Sequence, residues 1–382
     1  MSTHEVVVVG GRVAGASTAL LLARLGHEVV VIDRSDPATD TLSTHALMRT
    51  GVLQLKRWGL LESVIAAGTP PIDHITLGFG DGLIEFPLRD EHGVASLFAP
   101  RRHVLDRILL DACRGAGVEI RVGTRAMGIH RDRSGRVDGL MVDADGHRST
   151  MRARFIVGAD GVYSKVARAV GARAYRWHPP QNSVIYGYFE GLELKGYEFQ
   201  FTSGFNVGII PTNDGLANVF AAFKKRDVRM STEKTFRHVL LSARPEMAGR
   251  VASGTRIGGF RRSTGIPCFV KEATGPGWLL VGDAGFTKDP ISAHGISDAL
   301  RDAELAAQAI HQSIRSPANE AAALGRYQED RDRFALPLYE ESKALSAYGW
   351  DAGEASDRLR KLSTITEEEC QFLVDRQTLV DS

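Results

Sequence analysis

The stretch VVVVGGRVAGAS, residues 6–17, limits what this chain can fold into more than any other. Glu5 to Val9 carries the unbroken β-branched pattern of a parallel strand buried on both faces. Gly10 and Gly15 fill the first and last positions of a G-x-G-x-x-G turn, with Gly11 and Ala14 between them. Arg12 stands where the middle glycine normally lets the backbone approach a pyrophosphate. Ala14 to Leu25 has helical spacing and stops at Gly26, and Glu28 to Ile32 is a second buried strand ending in Asp33. Strand, turn, helix and strand in that order form a βαβ unit. An acid at the end of the second strand accepts hydrogen bonds from ribose hydroxyls and disfavours a 2′-phosphate, so Asp33 predicts FAD or NAD rather than NADP. A helix cap or a surface acid is the alternative role for Asp33.

Composition narrows the class. The chain has 382 residues, 43% hydrophobic and 24% charged, with a net charge of +1, which fits a globular protein with no nucleic-acid partner. Cys113, Cys268 and Cys370 are widely separated and make neither a disulfide nor a metal pattern, which predicts a reducing, cytoplasmic setting and no metal. The apolar start lacks the charged region and cleavage site of a signal peptide. No uncharged apolar run reaches the roughly 18 residues of a membrane span, so no stable membrane association is expected.

Further along, a helix is expected from His103 to Gly115, followed by a strand at Val118–Val122 and two strands flanking the Asp132–Gly135 turn. Residues 172–270 change character: SVIYGYFE, YEFQF, FNVGII and ANVFAAF are strand-like, and PTNDG is a hairpin signal. A helix over Ile296–Ile314 repeats its apolar face at Ile296, Leu300, Ala303, Ala307, Ile310 and Ile314. Thr366 with Glu369 three residues later has the form of a capping box, which would make Glu367–Glu369 the first turn of a last helix.

The fold expected is α/β: a Rossmann-like, three-layer dinucleotide-binding domain, an inserted antiparallel sheet and a helical tail. Its dinucleotide-binding part comprises residues 1–71, 99–171 and 271–320, its substrate-binding sheet 72–98 and 172–270, and its tail 321–382. A monomer and a homodimer both remain open.

FIVGADGVYSKVAR and WLLVGDAGFTKDPISAHGISDALRDAE resemble the DG and GD motifs of the flavin-dependent monooxygenases, a family that includes aromatic hydroxylases and geranylgeranyl-reductase-like proteins. The resemblance runs from about residue 5 to 315, with the three motifs in the family's order. It implies FAD as cofactor, held by Gly282 and Asp283 near the ribityl or pyrophosphate region and by Pro290, Gly295, Ile296 and Ser297 at the isoalloxazine ring. It implies that Asp160 and Gly161 serve both FAD and a transient NADH or NADPH. Arg49 and Arg102 match positions that hold the FAD phosphates, with Arg101 the competing register, and Arg34 lies beside Asp33. The family's Pro-x-x-Gly-Gln-Gly run departs here to Pro290-Ile291-Ser292-Ala293-His294-Gly295.

By the same resemblance, the reaction uses NAD(P)H and O2 to oxygenate a small organic substrate through a C4a-hydroperoxyflavin. His45 and His294 are the candidate bases, each with a plain structural role as its alternative. Tyr186, Tyr188, Phe201 and Phe220 are the candidate substrate contacts, with Phe199 and Phe205 beside them, subject to strand alternation. Two other readings stay open: reduction of a carbon–carbon double bond in an isoprenoid, and a silent flavin-fold binding protein if Arg12 closes the site. The W-x-W-x-I-P motif of flavin-dependent halogenases is absent, and Lys288 in the GD region is not the equivalent of their lysine.

Overall fold

A computed structural model describes residues 3–224 and 231–376. Residues 225–230 of the expected sheet region and 377–382 of the expected tail lie outside it. The βαβ unit forms as its pattern predicts: strand Thr3–Val9, helix Val13–Arg24 and strand Val29–Asp33. Val6 and Val8 face one core cluster while Val7 and Val9 face another, which is why the run needs no polar alternation. Around it five parallel strands lie in the order Trp278–Leu280, His147–Gly158, Thr3–Val9, Val29–Asp33 and Glu119–Val122. Helices Val13–Arg24, Arg102–Gly115 and Gly295–Arg315 pack on one face. The hairpin Thr124–Arg131/Val137–Ala144 and helix Lys165–Val170 supply the cluster on the other.

That strand order matters for function. The turns that follow Val9, Gly158 and Leu280 leave the carboxyl ends of three adjacent parallel strands, so motifs about 120 to 150 residues apart converge on one rim, where α/β sheets bind ligands.

A second sheet of seven strands runs in the order Thr255–Ser263, Asn182–Glu190, Ala217–Lys224, Phe205–Pro211, Tyr197–Phe201, His74–Phe79 and Gly82–Pro87. It is mixed rather than wholly antiparallel, because Tyr197–Phe201 pairs in parallel with His74–Phe79. The 172–270 stretch also contributes to a small third sheet: Ala174–His178 and Cys268–Lys271 pair with each other, and Cys268–Lys271 pairs with Phe286–Thr287. The NDG turn at Asn213–Gly215 makes the expected hairpin, with Asp214 in the left-handed region at φ 64°.

The tail corrects one expectation. The last helix runs Ala352–Val374, and its capping box is Asp351 with Glu354. Asp351 accepts the Glu354 N–H at 2.9 Å and Glu354 accepts the Asp351 N–H at 3.1 Å. Thr366 and Glu369 sit inside this helix, where an identical spacing simply puts two residues on one face. Both are buried against helix Gly295–Arg315. Asp351→Ala is expected to cost about 1 kcal/mol in this helix. Hydrogen exchange over residues 352–374 measures it, and Glu367→Ala, which touches no cap, should leave that exchange unchanged.

Candidate functional site

Gly10 takes φ +105°, and a Cβ there would lie within 3.0 Å of the Ala159 carbonyl. A Cβ on Gly15 would meet the Gly10 carbonyl just as closely. These two positions therefore need glycine. Arg12 does not: its φ of −88° and ψ of −169° are extended values open to any residue. Its guanidinium swings to Thr39 Oγ1 at 3.2 Å, so the side chain leaves the turn's inner surface. Asp33 accepts the Gly11 N–H at 2.9 Å and the Ser35 N–H at 3.1 Å, and it stays half-exposed at the end of its strand. Arg34 beside it is exposed.

The GD region has a recess. Asp283, Pro290 and Gly295 are exposed although Gly282, Ala284, Asp289, His294 and Ile296 around them are buried. Surrounding protein raises the Asp283 carboxyl through desolvation, opposed by Lys288 and Arg102. Gly282 packs against Ala14, which brings the GD turn onto the first helix. Ser297 is buried and accepts the Met48 N–H at 3.2 Å, so it fixes the helix start against residues 48–51.

Asp160 caps helix Lys165–Val170, accepting Ser164 Oγ at 2.5 Å and the Lys165 N–H at 2.6 Å. Gly161 follows with φ 80° and open space at its Cα.

Of the arginines, Arg102 faces the cleft. It forks onto Asp106 with both oxygens at 3.1 Å, its Nε is buried without a partner, and its charge acts on Arg12 and Asp283. Asp106 was not singled out in the sequence. It is buried, its carboxyl is raised by desolvation and lowered by Arg102, and it takes a hydrogen bond from the Val13 backbone at the start of the first helix. Its place one turn after Arg102 was the available signal. Arg101 turns the other way, to Asp40, and lies 4.5 Å over the Tyr188 ring. Arg49 is committed elsewhere: it donates to the Arg89 and Val94 carbonyls at 2.9 and 2.7 Å and pairs with Glu91.

The candidate bases part company. His294 is buried with both ring nitrogens engaged, to the Ser292 carbonyl and to Thr366 Oγ1. Desolvation, aided by Lys288, lowers it to about 3. It is a structural pin between two helices rather than a free base. His45 is fully buried in the left-handed region at φ 70°, an uncommon conformation for a residue with a side chain. Its Nε2 is hydrogen-bonded to Tyr188 Oη at 2.5 Å, and its Nδ1 has no partner. Desolvation and the nearby Arg102 lower it to about 3, which keeps it neutral.

Strand alternation sorts the aromatics. Tyr186, Tyr188 and Phe220 belong to the cluster on the α/β side, and Phe199 packs against it. Phe201 shares that face of its strand but packs among Phe79, Tyr348 and Trp350. Phe205 faces the opposite side, against helix Thr232–Ala243. All three cysteines are buried with thiols pushed up to about 12 by desolvation, which suits inert packing rather than nucleophilic chemistry. Among the described residues no helix is long and apolar enough to cross a membrane.

The folded state holds the His294 imidazole neutral down to about pH 3, whereas an unfolded chain protonates it near its ordinary value of 6.5. Stability is therefore lost as pH falls below 6.5. At pH 5 this one residue should cost about 2 kcal/mol relative to pH 7. Denaturant midpoints of the protein and of His294→Gln across that range measure it, and the variant should show the shallower decline.

A glycine cradle, a ribose-height acid, an unpartnered arginine nitrogen and a recessed helix start fit an adenine dinucleotide bearing a flavin. The comparisons agree. Menaquinone reductase of Mycolicibacterium smegmatis is 28% identical over 322 residues, 80% of this chain and 75% of that protein. The 6-methylpretetramide 4-monooxygenase of Streptomyces rimosus is 27% identical over 322 residues, 81% and 76% of the two chains. A triple mutant of a flavin-dependent brominase shares the fold with a TM-score of 0.82 at 18% identity, over 97% of this chain and 98% of that one. A family described as an FAD binding domain matches residues 3–342, and this chain therefore belongs to that family of flavoenzymes.

Proposed function

We propose that the protein is an FAD-dependent monooxygenase that takes reducing equivalents from NADH or NADPH and oxygenates a small aromatic or polycyclic substrate. FAD would lie with its ribose on Asp33, its phosphates between the Val13 helix start and Arg102, and its ring end over Asp283, Pro290 and the Gly295–Ser297 turn. Bound there, the cofactor supplies electron storage and the reaction with oxygen. The chain supplies the binding surface, the exclusion of water and a place for a proton. Arg49 and His294 are left out of this set because their polar atoms are committed to structural partners.

The observation that carries the oxygenase reading is the His45–Tyr188 pair. In the tautomer that donates its Nε2–H to Tyr188 Oη, the free, buried Nδ1 would be the proton acceptor, and the tyrosine stacks beside the ring at 5.8 Å and 11°. A buried polar atom left unpaired and a backbone held in the left-handed region both cost free energy, and such costs concentrate at functional sites. The acceptor would deprotonate a phenolic or enolic substrate lying against the Tyr186–Tyr188–Phe220 face of the seven-stranded sheet. Phe199 rounds out that face, whereas Phe201 extends it toward the C-terminal helices.

The second reading is reduction of a carbon–carbon double bond without oxygen, favoured by the likeness to menaquinone reductase. Oxygen dependence separates the two. The monooxygenase reading expects a yellow protein that NADH or NADPH bleaches without air and that recolours when air returns, forming hydrogen peroxide if no substrate is present. Turnover of a prenylated acceptor under anaerobic conditions would establish the reductase instead.

Two substitutions test the site. Arg102→Ala should weaken FAD binding by roughly tenfold to a hundredfold, the scale of one charge-assisted phosphate contact. Flavin fluorescence on titration reads it. His45→Asn should keep FAD bound and lower substrate turnover by about a hundredfold or more, the scale of a lost general base.

A further inference from the structure

A cluster of five charged side chains lies behind the Gly282–Asp283 turn, and the function proposed above makes no use of it. Lys288 pairs with Asp298. Arg301 reaches Asp298 at 3.2 Å, Glu369 at 2.9 Å and Asp302 at 2.8 Å. None of the five side chains is more than 5% exposed. Asp302 also accepts the Gly282 N–H at 3.2 Å, so the cluster touches the backbone of the GD turn itself. Asp298 stands in the first turn of helix Gly295–Arg315, whose start faces the recess.

Three carboxylates here face two cations, and Glu369 Oε2 is buried without a partner. Excess negative charge in such a setting is expensive, so a further negative charge placed nearby raises the cluster's affinity for a proton. The surrounding groups do not supply the missing charge. His294 on the adjoining N-cap is neutral, Asp283 across the turn is an acid, and Arg331 beyond Asp302 is paired with Asp332. Tyr327, on the helix Glu320–Ser346 that also carries Arg331, donates to the Leu280 carbonyl, and Cys370 beside Glu369 holds its thiol proton.

We propose that this cluster is the proton store of the flavin site. It takes up one proton from solvent when a hydride from a reduced nicotinamide places negative charge on FAD, and it returns that proton on reoxidation. The hydride carries two electrons and one proton to the cofactor and leaves the nicotinamide oxidised. The solvent proton forms an O–H bond at Glu369 Oε2 and cancels the added charge. Desolvation lowers the Lys288 amine to about 7 and raises the Glu369 carboxyl, so burial favours the neutral form of each. Glu369 belongs to the last helix, Ala352–Val374, beyond the matched residues 3–342. The inference rests on the FAD placement proposed above.

The test is the pH dependence of the FAD midpoint potential in the FAD-loaded protein, in Glu369→Gln and in Asp298→Asn. Each variant leaves two carboxylates against two cations. The unmodified protein should show the steeper slope by about 30 mV per pH unit, the two-electron equivalent of a tenfold change in proton activity. The absorbance of the reduced flavin, recorded at each pH, tells a proton on the ring from a proton on the protein. If slopes are equal in all three proteins, with FAD bound and the same reduced spectrum, the proton store is overturned. If one variant does not fold, the other decides. A protein that binds no FAD at all would overturn the cofactor placement instead.

Discussion

A fully buried guanidinium cannot be left alone, and much of this molecule is arranged around that fact. Arg301 has no exposed surface, and removing one partner from a buried ion pair typically costs about 3–5 kcal/mol. Its partners come from its own helix and from the last helix of the chain. Asp302 in turn holds the Gly282 N–H, so the need to pair one arginine draws the C-terminal helix and the GD turn together. Thr366 and His294 repeat the connection one turn earlier, and farther along Glu304 of the same helix pairs with Arg57 of the helix Arg49–Arg57. The helix that starts at the recess is thus clamped along its length by polar contacts, which need fixed geometry in a way that apolar packing does not.

The frame was legible because its signals are local. Four consecutive valines, a glycine turn and an acid at the end of the next strand specify a βαβ unit without reference to the rest of the chain. The parallel order then follows from chain connectivity and places the GD and DG turns beside the first one. The true start of the last helix was equally local, in Asp351 and Glu354, but the same spacing recurs at Thr366 and Glu369. Nothing within a few residues tells a cap from two side chains on one helical face. Only burial against another helix does.

What stayed hidden in the sequence was pairing across distance. His45 and His294 are alike as letters: both are buried and both are held neutral by desolvation. One has its two nitrogens occupied, and the other keeps Nδ1 free. Arg101 and Arg102 differ by one position, and a helix start turns them to different neighbours. Phe205 parts from Phe201 because the residue opposite Phe201 is Asn206, and side chains alternate faces along a strand. These distinctions belong to partners supplied by the fold.

Arg12 shows how far a motif can bend. The glycines at positions 10 and 15 are required by close approach of backbone to backbone, which no side chain can relieve. Position 12 has extended dihedrals, so its glycine in other sequences serves the ligand's proximity rather than the chain's own geometry. An arginine is tolerated once its side chain has somewhere else to go, and Thr39 gives it that. Desolvation lowers the Arg12 guanidinium, and Arg102 lowers it further, while Asp106 and Asp33 pull the other way. Arg34 also acts on it, so three cations there stand against two acids, an excess that a bound anion would offset.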